Sequence, residues 1–84
     1  MLTSSQIRAA RALLGWSQPA LAKAAGLSLP TIVRMESQLG PGRSSAANVD
    51  AVRRALESAG VQFLDADDAN LAGPGVRLKQ SPET

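Results

Sequence analysis

Ser17-Gln18-Pro19 and Ser28-Leu29-Pro30 are two copies of one helix-start signal, eleven residues apart. Serine caps a helix through its hydroxyl, and proline is tolerated in the first turn, where its missing N–H has no partner to lose. Arg34 lies six residues beyond the second serine. A basic residue on the exposed side of a second short helix has little structural work there. Its planar guanidinium is suited to donating paired hydrogen bonds to an acceptor edge. Catalytic chemistry has poor material by comparison. The chain has no His and no Cys, which removes the commonest general base, the thiolate nucleophile and the usual transition-metal ligands. No Ser has a base at motif spacing. Asp65, Asp67 and Asp68 lie in DADDANLAG, which lacks the Gly and terminal Glu spacing of a calcium loop, and it reads as a solvated loop. The chain is not expected to be an enzyme, nor to hold a metal or cofactor.

The elements that must position Arg34 follow from punctuation and period. Thr3-Ser4-Ser5 offers N-caps, with Ile7, Ala10 and Leu14 at helical spacing and Gly15 as the stop. Leu21, Ala22 and Ala25 form the stripe of a second helix ending at Gly26. Ile32 and Met35 give a third helix, over 29–37, its buried side, while Leu29, Thr31 and Arg34 point away. Residues 37–45, SQLGPGRSS, read as a loop. Ser44 or Ser45 caps a fourth helix with the stripe Val49, Val52, Leu56 and Ala59 and the stop Gly60. Asp50–Arg54 and Arg53–Glu57 lie at i,i+4 on its outer side, each worth roughly 0.3 kcal/mol.

After Gly60 the period shortens to two. Val61-Gln-Phe-Leu64 and Val76-Arg-Leu-Lys79 predict short strands, pairing either within one chain or across a dimer. The expected organisation is a helical segment over 1–60, a strand segment over 61–80 that serves dimerisation, and a frayed tail over 81–84. The expected fold class is mainly α: four short helices, then two strands.

Eighty-four residues allow one small core. With Trp16 and Phe63 the only aromatics, that core is expected to rest on Ile7, Leu14, Leu21, Ile32, Met35, Val52 and Leu56, with Trp16 packed against it. Net charge is +2, but residues 1–43 carry +4 and residues 44–84 carry −2. A basic half on an acidic half suits a nucleic-acid partner. No apolar run reaches the ~18 residues a membrane span needs, and no leader pattern opens the chain, so a cytoplasmic, nucleoid-associated protein is expected.

Two helices of about eight residues joined through Gly26-Leu27-Ser28 form a helix-turn-helix, a unit that presents the start of its second helix to a DNA major groove. Gly15-Trp-Ser-Gln18, Leu21-Ala22, Gly26-Leu-Ser28 and Thr31-Ile32-x-Arg34-x-Glu36 resemble the family of phage repressors and Cro, the Xre type, over about residues 3–59. The resemblance implies a lambda-repressor-like bundle and a sequence-specific transcriptional regulator acting on double-stranded DNA. It implies that Ser28, Leu29, Pro30, Thr31 and Arg34 face bases, with Arg34 the main reader. Gln18 would touch a phosphate and support the third helix; Arg43, Ser44 and Ser45 would hold the backbone. Arg11 and Glu36 would form an ion pair tying the first helix to the third. Leu29 and Pro30 depart from the polar readers of some relatives and can make only apolar contacts. The strand-like VQFL and VRLK stand where the family has a fifth helix, so a homodimer is expected to use a different surface. An antitoxin that also binds a toxin, and a module contacting RNA polymerase, are the alternative functions.

Overall fold

The computed structural model describes residues 2–79. The frayed tail expected over 81–84 lies outside the described residues. Four helices run in chain order: α1 (Ser4–Leu14), α2 (Gln18–Ala25), α3 (Leu29–Met35) and α4 (Ala46–Ser58). Strands β1 (Val61–Leu64) and β2 (Gly75–Leu78) follow as an antiparallel pair with Val61 opposite Leu78 and Phe63 opposite Val76. The chain is mainly helical, and the strands pair within it.

Each helix begins where a hydroxyl can cap it. Thr3 accepts from the Gln6 N–H while the Gln6 side chain accepts from the Thr3 N–H, a reciprocal capping box. Ser17, Ser28 and Ser45 cap α2, α3 and α4 through Ala20, Thr31 and Asn48. Ser45, not Ser44, is therefore the cap of α4. The first two helices end at Gly15 (φ 69°) and Gly26 (φ 70°), in the left-handed region that L side chains avoid. The turn that follows Gly26 is then only Leu27 and Ser28 before α3 starts.

One core joins everything. Ile7, Leu21, Ile32, Met35, Val52 and Leu56 are fully buried, as the periodicity predicts, and so is Val61 of β1. Leu14 is half-buried against that core instead of inside it, and Trp16 packs beside it. Leu2, Ala10 and Ala22 fill the remaining inner positions. Hairpin and helices are also tied by Gln6, 5% exposed, whose amide donates to the carbonyls of Gly75 (2.9 Å) and Leu64 (3.2 Å).

Three boundaries differ from the sequence reading. The third helix stops at Met35, two residues before the expected 37, because Glu36 turns inward and Ser37 Oγ donates to the Arg34 carbonyl at 2.6 Å. The loop 37–45 contains a 3-10 turn, Pro41–Arg43, with Pro41 buried. The second strand is shifted one residue, to Gly75–Leu78, because its pairing with β1 starts at Gly75. Between the strands, Asp67 caps a second 3-10 turn, Asp68–Asn70, and pairs across the loop with Ala72.

Candidate nucleic-acid interface

The outer side of α3 is built by exclusion. Ile32, Met35 and the following Glu36 face inward, so helical geometry leaves Pro30, Val33 and Arg34 outermost, with Leu29 beside them. Leu29 is 41% and Val33 47% exposed. Thr31 is half-buried, and its hydroxyl is 2.8 Å from that of Ser28, so these two polar groups engage each other at the helix start. Val33 was missed by the sequence reading, although its place one residue before Arg34 and one after buried Ile32 carries the signal.

Beneath that surface lies a charged joint. Arg11 grips the buried Glu36 carboxylate with two bonds, Nε at 2.6 Å and Nη2 at 2.8 Å. The same bond and the carboxylate's charge raise the Arg11 pKa above its ordinary value, against a lowering by burial. Gln18 Nε2 donates to the same carboxylate at 3.1 Å. Arg11 Nη1 also donates to the Trp16 carbonyl, fastening the turn between α1 and α2. Arg8, which reads from sequence as a solvated or phosphate-facing charge, donates instead to the Glu36 main-chain carbonyl and to Ser5 Oγ. Three side chains thus converge on Glu36 and fix where α3 ends. The Arg11–Glu36 pair matches the resemblance; the parts played by Arg8 and Gln6 had no sequence rationale beyond the Thr3-x-x-Gln6 capping spacing.

The seven arginines then sort into two groups. Arg8 and Arg11 hold Glu36, Arg53 pairs with Glu57 at 3.3 Å, Arg54 pairs with Asp50 at 2.8 Å, and Arg77 donates to Gln62. Arg53 also lies 5.4 Å from the centre of the Phe63 ring. The side chains of Arg34 and Arg43 have no hydrogen-bond or ion-pair partner among the described residues, and both residues are exposed. Arg34 is on the outer side of α3 and Arg43 ends the 3-10 turn that leads from α3 to α4. After Arg43 come Ser44, whose Oγ is buried without a partner among the described residues, and Ser45, whose Oγ is engaged as the α4 cap. Gln18 stands at the first position of α2, its amide already on Glu36.

Among the described residues no group of three or more His, Cys, Asp or Glu is placed to hold a metal ion, and no helix is long and apolar enough to cross a membrane. A short capped helix set after another by the turn Leu27–Ser28, its outer side carrying an arginine whose side chain has no partner among the described residues, is the arrangement of a helix-turn-helix protein. A family model described as helix-turn-helix matches residues 7–59. The chain belongs to that family, of the Xre, lambda-repressor-like type: DNA-binding transcription regulators, generally non-enzymatic. No curated protein matches the chain.

Proposed function

We propose that this DNA-binding regulator is sequence-specific and acts as a homodimer, with the outer side of α3 in the major groove of each half-site. The observation that carries the reading is the sorting of the arginines: five have internal partners, and the two whose side chains have none among the described residues are Arg34, on α3, and Arg43, in the turn after it. Arg34 reads a base, through paired hydrogen bonds to an edge such as guanine O6 and N7. Ser28 and Thr31 offer hydroxyls, and Leu29 and Pro30 offer apolar contact to a thymine methyl. Arg43, with Ser44, Ser45 and Gln18, lies toward the phosphates. A seven-residue α3 reads only a few base pairs, which is the reason for a two-fold site, with half-sites about 34 Å apart. The C-terminal hairpin, where the family's fifth helix is absent, forms the dimer surface. Residues 1–60 are the DNA-binding unit and 61–80 the assembly unit.

Binding of the wild-type chain and Arg34→Ala to a randomised duplex pool, at low and moderate salt, tests this. The wild type should enrich a two-fold symmetric sequence; Arg34→Ala should lose the enrichment and keep weak, salt-sensitive binding. No enrichment by either protein would sink the reading. It would turn attention to a protein partner, a toxin or RNA polymerase, for which the exposed apolar row Leu29, Val33 and Leu39 (56% exposed) is the observation in favour.

A further inference from the structure

Among the described residues the hairpin is a sheet of two strands, so each strand has a second edge. Lys79 N–H donates to the Gly60 carbonyl at 2.7 Å. Continuing that pairing along the register Val61–Leu78, Gln62–Arg77, Phe63–Val76 and Leu64–Gly75 fixes which groups point between the strands. Those of Gln62, Leu64, Gly75 and Arg77 point inward, and the N–H and C=O groups of Val76 and Leu78 point out across the free edge of β2. Those outward groups have no partner among the described residues.

The side chains show the same incompleteness. Val61 and Leu78 are directly opposite and so lie on one face of the sheet, the face turned to the helices. Val61 is fully buried and Leu78 is 46% exposed. Core ends at β2. Beside that edge, α1 and the start of β2 enclose an open groove of about 370 Å³, lined by Thr3, Ser5, Gln6, Ala9, Pro74 and Val76. The edge of β1 is a poorer candidate. It leaves α4 after only Ala59 and Gly60, and Arg53 of α4 lies over Phe63.

We infer that a second copy of this chain pairs through β2, edge to edge and antiparallel, with the two-fold axis at Val76, making a four-stranded sheet β1-β2-β2-β1. The inference rests on the homodimer reading above and specifies its interface. Charge selects the register. A two-fold at Arg77 sets that arginine against its own copy, and one at Leu78 sets Arg77 against the partner's Lys79; like charges directly opposite oppose pairing. A two-fold at Val76 sets Arg77 against the partner's Gly75, which has no side chain to clash or repel. Val76 N–H then donates to the carbonyl of the partner's Val76, and Leu78 N–H to that of the partner's Pro74, each with its symmetry mate. One apolar row, Phe63–Val76, continues through the partner's Val76 to the partner's Phe63. Leu78, opposite the partner's Pro74 on the helix-facing side, enters the partner's groove between α1 and β2.

This placement also suits the DNA. Arg8 of α1 holds the end of α3, and Gln6, half a turn away, holds Gly75 of β2. At ordinary helix-packing and strand distances, the path from one α3 through α1, β2 and their copies to the other α3 is at most about 45 Å. The roughly 34 Å between successive major grooves falls inside that limit.

Because the chain contains no cysteine, single-cysteine variants report one contact each. In this register the two Val76 Cα atoms are about 5.5 Å apart, within disulfide reach, and the Arg77 pair is about 8 Å apart, outside it. Val76→Cys should therefore form an intermolecular disulfide at least tenfold faster than Arg77→Cys or Leu78→Cys in the full chain. Leu78→Glu should sediment as a monomer with an unchanged helical circular dichroism signal. If the wild type itself sediments as a monomer, the homodimer reading and this interface fail together. If the wild type is a dimer but Arg77→Cys or Leu78→Cys links faster, none links, or Leu78→Glu stays dimeric, the dimer stands and this interface is wrong.

Discussion

At the scale of single residues, the molecule separates arginines paired within the fold from two whose side chains have no partner among the described residues. Glu36 is 5% exposed and takes three hydrogen bonds on its carboxylate, so its loss strands a guanidinium that has been partly withdrawn from water. The Arg11 side chain keeps 21% exposure, which softens the penalty. Glu36→Ala should cost about 2–3 kcal/mol in urea unfolding. The double variant with Arg11→Ala should lose less than the sum of the two single changes, because each single change already abolishes the pair. Arg34 and Arg43 should behave differently from this pair and from one another. Arg34→Ala should leave stability unchanged and cost roughly 1–3 kcal/mol on the preferred sequence only. Arg43→Ala should weaken binding to all sequences alike and lower the salt slope by about one, as a lost phosphate contact does. Equal effects of both variants on specific and random duplex would remove Arg34 from the role of base reader.

At the scale of elements, short helices depend on their ends. α2 and α3 have eight and seven residues, too few to persist alone in water, so caps and turn geometry carry much of their definition. Gly26 holds φ at 70° with open space around the position a Cβ would take. Gly26→Ala should then pay only for backbone conformation, about 1–2 kcal/mol, read as a thermal midpoint lower by several degrees. The turn at Asp68–Asn70 is a second end-defined element. Asn70's side-chain amide, with the N–H groups of Asn70 and Ala69, holds the Asp67 carboxyl below the usual carboxylate range. A depressed folded-state pKa gives stability that is complete above the ordinary Asp value and is lost as pH falls through the lowered one. The Ala69 and Asn70 amide resonances should therefore shift with the Asp67 titration below the ordinary Asp range, while the resonances of α2 stay fixed. Such local devices are also what the sequence shows most clearly. The doubled Ser-x-Pro located both starts of the helix-turn-helix because capping involves neighbours three residues apart. The end of α3 was not legible, since the apolar period runs on through the residues where Glu36 turns in. Arg8 reads from sequence as a solvated or phosphate-facing charge because its partner is 28 residues away, and nothing local marks the hairpin role of Gln6, whose partners there are 58 and 69 residues away. Sequence leaves the pairing of the strands open for the same reason: alternation marks a strand and says nothing about its neighbour.

At the scale of the whole molecule, the question is whether the hairpin is an appendage or part of the domain. Val61 lies in one core with Ile7, Leu21 and Leu56 and is fully buried, so the hairpin supplies a wall of the helical core. Gln6 fastens the other end, joining the first turn of α1 to the carbonyls at the hairpin's loop end. A chain this small has little apolar surface to spare, and a lost wall should be felt everywhere. Val61→Ala removes two buried methyl groups and should cost about 2 kcal/mol. The decisive feature is where that loss appears. If helices and hairpin fold as one unit, the helical signal and strand amide protection shift together in a single transition. The α3 surface proposed to meet DNA would then be stabilised by residues 26 to 43 positions beyond Met35, and a partner chain completing the β2 edge would raise DNA affinity through the same core. If the helical midpoint is unmoved by Val61→Ala while strand protection collapses, the hairpin is a separate unit, and any influence of dimerisation on binding must come from geometry alone.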